Sequence, residues 1–135
     1  MKKAFLISLL IVIVSSKINA QTPITKQIIT YVCFENNKII LNKISCYNYI
    51  REGNEFKILD LNNSPLITGS VEKNANDEFV CEVTFVEINK KFSNKKMIGR
   101  NGIIFALIDN NVIEKDFKFN KEKLLQFIND YNEIK

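Results

Sequence analysis

The sequence predicts a mainly β (α+β) protein. Its expected core is an antiparallel meander of about six to eight strands, forming a curved sheet or small open barrel, with one C-terminal amphipathic helix packed on it. Three observations carry this. Short runs rich in Ile, Val, Phe and Tyr are separated by turns containing Asn, Asp or Gly. No internal repeat and no long linker interrupts them. After Asn120 the apolar spacing lengthens from two residues to the helical period.

Residues 1–20 read as a cleaved secretory signal peptide. Lys2 and Lys3 form its charged start, Ala4 to Val14 its apolar centre, and Ala20 its cleavage point. The centre is too short to cross a bilayer, which needs about 20 apolar residues. No Cys near the cut offers an acceptor for a lipid anchor. The expectation is therefore a soluble exported protein, periplasmic or extracellular, with no membrane span after cleavage. The short Lys-Lys leader favours a bacterium. Residues 21–135 form the single globular domain, large enough for one core.

Gln21 to Thr25 is a lead-in. Lys26 to Phe34 is the first strand, and Asn36-Asn37 its two-residue hairpin turn. That turn sets Glu35 opposite Lys38, Cys33 opposite Ile40 and Cys46 opposite Gln27. Ile39 to Ile50 has some helical spacing (Ile40, Ile44, Tyr47), but its residues are indifferent helix formers, so it reads as a strand. Glu52-Gly53-Asn54 turns the chain. Glu55 to Leu61 is a strand, closed by Asn62-Asn63-Ser64-Pro65. Leu66 to Glu72 is the next, with Gly69 marking a bulge or a close approach. Asn74 to Asp77 is a turn. In Glu78 to Ile88, Phe79, Cys81, Val83 and Phe85 alternate with a mixed face. Asn89 to Asn101 is a polar, basic connection with room for a short strand at Lys96 to Gly99.

Ile103 to Ile108 is apolar without a gap, short and rich in β-branched residues, which predicts a strand buried on both faces. Asp109-Asn110-Asn111 is a turn. Val112 to Phe119 reads as a half-wet strand, with Ile113, Phe117 and Phe119 in one phase. Asn120 is the expected N-cap of the helix. Leu124, Phe127, Ile128, Tyr131 and Ile134 form its apolar stripe.

For function, the strongest sign is an absence. There is no His in the sequence. That removes the commonest general base and the Ser-His and Cys-His nucleophile pairs. There is no Trp, and four scattered glycines supply no phosphate-cradling loop. Catalysis would need carboxylates alone, with Glu82 a member; a carboxylate-only hydrolase is the minor reading. Asn74, Asn76 and Glu78 repeat oxygen ligands at every second residue, but carry too little charge for calcium and read as a turn. No cofactor or metal is expected.

Cys33, Cys46 and Cys81 are candidate disulfide members. The hairpin register separates Cys33 from Cys46, which favours a bridge involving Cys81 or none. Of 19 basic residues, Lys2, Lys3 and Lys17 leave with the leader; 16 then face 15 acidic ones, a net charge of +1. No nucleic-acid partner is expected from that balance. Lys90, Lys91, Lys95, Lys96 and Arg100 nevertheless cluster without an acid between them, a candidate contact for an anionic surface. The chain thus reads as a non-catalytic binding module for a protein or a small apolar ligand. A secreted inhibitor or immunity-type protein is the alternative.

Overall fold

The computed structural model describes residues 28–134. The predicted leader, the predicted lead-in and the start of the first predicted strand lie outside the described residues. Seven strands follow: β1 (Val32–Glu35), β2 (Lys38–Leu41), β3 (Ile44–Glu52), β4 (Glu55–Leu59), β5 (Pro65–Lys73), β6 (Phe79–Phe85) and β7 (Lys90–Ser93). Two helices close the unit, α1 (Gly99–Asp109) and α2 (Lys121–Tyr131). The strands form one antiparallel sheet in sequence order, and β1 does not pair with β7. The meander is therefore an open sheet and not a closed barrel.

The first hairpin has the expected register, with Glu35 opposite Lys38 and Cys33 opposite Ile40. The stretch from Ile39 to Ile50 is β, but it is two strands and not one. Asn42 and Lys43 both take positive φ, 50° and 67°, which makes a tight two-residue turn. The Asn42 side chain also holds the incoming chain. Its Oδ1 accepts the N–H groups of Thr30 and Tyr31, and its Nδ2 donates to the Ile28 carbonyl. This turn moves Cys46 to the third strand, beside β2; its expected partner Gln27 lies outside the described residues.

A bulge then shapes the sheet. Ile39 pairs with Tyr47 but Ile40 pairs with Ser45, so Cys46 is an extra residue in β3. Successive residues of a strand normally face opposite sides. The bulge lets Cys46 and Tyr47 both turn inward, and both are buried. A second bulge falls at Leu66, between the Ile58–Ile67 and Leu59–Pro65 pairs. Gly69 marks the close approach instead. A Cβ there would meet Val83 Cγ1 at 2.7 Å and the Glu82 carbonyl oxygen at 2.9 Å.

One face of the sheet is the core. Ile39, Leu41, Phe56, Ile58, Ile67, Val83, Phe85 and Phe92 are buried there. Ile103, Ile104 and Leu107 of α1 join the same cluster, with Leu124, Phe127 and Ile128 of α2. The inner face is filled by these side chains. Phe127 stacks on Phe92 at 4.8 Å between centroids, and Phe85 stands edge-on to both. Asn120 caps α2 as expected, its Oδ1 accepting the Lys123 N–H at 3.0 Å.

The segment before that cap departs from the reading. Ile103 to Ile108 is the body of α1 and not a strand. Ile103, Ile104, Ala106 and Leu107 are buried on one face, but the apolar Phe105 lies exposed off it, so the sequence shows no clear stripe. Val112 to Phe119 is a loop with a single bridge between Ile113 and Phe119. Its turn places Phe117 at φ 64°. Tyr47 Oη donates to the Phe117 carbonyl and pins that turn to the sheet. The short strand of the basic connection is Lys90–Ser93, not Lys96–Gly99. Helix α2 ends at Tyr131, and the chain then runs along β7. Glu133 N–H donates to the Ser93 carbonyl, while Asn132 accepts from Ser93 N–H and donates to the Lys91 carbonyl.

Phe127→Ala is expected to cost about 3–5 kcal/mol of stability, and Phe127→Asp or Leu124→Asp to abolish folding. Gly69→Ala is expected to cost about 1–3 kcal/mol through overpacking against Val83. Urea titration followed by circular dichroism measures both; a native-like midpoint for Phe127→Asp would sink the helix-on-sheet account.

Candidate functional site

Strand β3 carries Tyr47, Tyr49 and Arg51 in one phase. Tyr47 is core, so Arg51 continues the inward phase to the rim of the sheet, opposite Phe56 of β4. Next to it the chain enters α1 through Ile98-Gly99-Arg100-Asn101. Gly99 takes φ 70°, a conformation suited to glycine. Tyr49, Arg51, Phe56, Val71 and the residues from Ile98 to Asn101 line an open cavity of about 320 Å³.

Arg100 is held on both sides. Its guanidinium carbon lies 4.4 Å from the Tyr49 ring centroid and 4.8 Å from that of Phe34. Nη1 donates to the Glu35 carbonyl and Nε to Asn101 Oδ1, each at 2.9 Å. Two aromatic rings, two acceptors and β1 together fix a planar cation. Arg51 is more exposed and donates through Nε to the Gly53 carbonyl at 3.1 Å. Among the described residues neither arginine has a carboxylate within 4.0 Å.

The start of α1 adds to this field. Its N-cap residue is Ile98, which has no side chain able to cap, and its first turn contains no acid. Gly99 N–H donates to Cys81 Sγ at 3.4 Å. The N–H groups of Arg100 and Asn101 have no protein acceptor among the described residues. A helix start carries partial positive charge, so its dipole and the two guanidinium groups act in the same direction. Such a cavity attracts anions and offers nothing that would act as a base.

The five basic residues named from the sequence do not form one face. Lys90 and Lys91 are exposed at the sheet edge, and Lys91 pairs with Glu82 at 3.6 Å. Lys95 and Lys96 sit in the following turn, where Glu133 Oε1 accepts the Lys95 N–H. Arg100 alone reaches the cavity. Arg51 was missed, although its phase with Tyr47 and Tyr49 was a readable signal. Glu82 is half-exposed in its pair with Lys91 and does not line this cavity. Asn74 closes its own turn, accepting from Asn76 and Glu78 N–H. Among the described residues no helix is long and apolar enough to cross a membrane.

The three cysteines are free thiols. Cys46 and Cys81 are buried, and burial pushes both thiols above their ordinary pKa. Cys33 is only half-buried on the edge strand β1. The thiolate is the reactive form, so Cys33 is expected to alkylate first. Native protein treated with iodoacetamide at pH 8 should gain one label rapidly and three only after denaturation. Rapid triple labelling of native protein, counted by mass spectrometry, would contradict the burial.

No family model, curated protein sequence or solved structure matches this chain. Its chemistry must be read from the site itself.

Proposed function

We propose that the chain is an exported, non-catalytic binding protein whose Arg51–Arg100 cavity takes an anionic group. The observation that carries this is the convergence of two arginines without acidic partners and an uncapped helix start on one cavity. Guanidinium groups bind carboxylate and phosphate oxygens in a fork and stay charged throughout the physiological range. The missing His, and the pairing of Glu82 with Lys91 on the exposed face of the sheet, support binding over turnover. Export rests on the leader read in residues 1–20, with its Lys-Lys start and small-residue exit, and the same leader supports a bacterial source.

Isothermal titration with inorganic phosphate and with acetate tests the site. Arg51→Gln is the informative variant, because its side chain holds only the local Gly53 carbonyl. A lost charged hydrogen bond is worth about 1.5–3 kcal/mol, so affinity should fall at least about tenfold. Anion binding that is indifferent to Arg51→Gln would overturn the assignment. Expression of the full chain in a bacterial host should yield a mature protein beginning at Gln21. An intact Met1 terminus on cytoplasmic protein would remove the export reading.

A further inference from the structure

A second concavity lies at the other end of the same strands. The arginine cavity uses Tyr49 and Arg51 of β3 and Val71 of β5. The second is lined by Ile44 to Tyr47 at the start of β3 and Leu66 near the start of β5. The loop from Asp116 to Phe119 closes its far side, giving a groove of about 600 Å³.

Its lining has two components. Phe117 and Phe119, both half-buried, contribute aromatic rings, and the buried Tyr47 ring backs Phe119 at 6.0 Å between centroids. Asp60, Glu87 and Asp116 contribute carboxylates, against the single cation Lys118. Among the described residues none of the three carboxylates has a cationic partner within 4.0 Å. Asp60 Oδ1 accepts from Asn62 and Ser64 N–H, and Asp116 Oδ1 from Lys118 N–H; these bonds leave the negative charges uncompensated. Ile44 and Leu61 stand at the mouth 50% and 56% exposed. Ser45 Oγ, in the lining, is buried with no hydrogen-bond partner.

Aromatic faces and carboxylates together are the chemistry that recognises an organic ammonium ion. The ring quadrupole attracts the cation, the carboxylates supply long-range charge, and Leu61 and Ile44 cover an alkyl arm. The volume suits a small molecule of this kind. We infer that the groove is a binding site for a small alkylammonium ion, separate from the anion cavity and opposite to it in charge. The loop that builds it is held by Tyr47, whose phenol burial keeps protonated and therefore a donor to the Phe117 carbonyl.

Three probes with the same carbon chain separate charge from apolar contact: butylammonium, 1-butanol and butyrate. They are titrated into isotope-labelled full-length protein and followed by NMR. Butylammonium should produce saturable shifts at Leu61, Phe117 and Phe119. Butanol should bind there at least about tenfold more weakly, and butyrate not at all. The double variant Glu87→Gln, Asp116→Asn keeps the acceptor for Lys118 N–H, leaves only the Asp60 charge, and should bring butylammonium most of the way to the level of butanol. Leu61→Ser, at an exposed position, should weaken butylammonium without changing the spectrum elsewhere. Equal binding of butanol and butylammonium would overturn the proposal, as would the absence of saturable shifts in the groove.

Discussion

The stack of Phe127 on Phe92, with Phe85 edge-on to both, is where the last strand, the last helix and the sheet interior meet. A meander of seven strands has one apolar face, and only covering that face makes folding favourable. Helix α2 covers it at β6 and β7, and α1 fills the remainder through Ile103, Ile104 and Leu107. Phe34 of β1 meets Phe105 of α1 edge-on at 5.6 Å, which ties the opposite side of the sheet to the same layer. Both concavities are rims of this arrangement. The arginine cavity exists because α1 starts over the sheet, and the aromatic groove because the loop before α2 returns to β3.

Much of the fold was legible because two signals agree in most elements. Alternation in Phe79 to Phe85 and the turn residues around it specify a strand twice over. Helix α2 has both a cap and a stripe. Legibility failed where one signal stood alone. Six consecutive apolar residues at Ile103 to Ile108 have no period to read, and β-branching tipped them towards a strand. Burial of one face of α1, Ile103, Ile104, Ala106 and Leu107, against the sheet overrides that weak preference. The Asn42-Lys43 turn was hidden because Lys is not an obvious turn residue, although Asn at positive φ is.

The site was legible in halves. Arg100 stood out as part of a charge run, yet its neighbours in that run are dispersed by β7 and the turn after it. Its true companion, Arg51, lies on a strand that the meander brings beneath α1. Proximity in sequence organised the prediction, whereas register organises the cavity. The groove left less trace, because its carboxylates come from three separate turns or loops, around Asp60, Glu87 and Asp116. Only the assembled topology brings them to one place.

The closing of β7 by Asn132 and Glu133 has a consequence for the timing of folding. The meander itself is made of neighbours, so each hairpin forms with little loop-closure entropy. The groups that satisfy the outer edge of β7 lie 39 residues beyond Ser93. Until they arrive, that edge is an open template for another chain. A ribosome or a translocation channel delivers residues in order, so the nascent sheet spends an interval unshielded at the side made last.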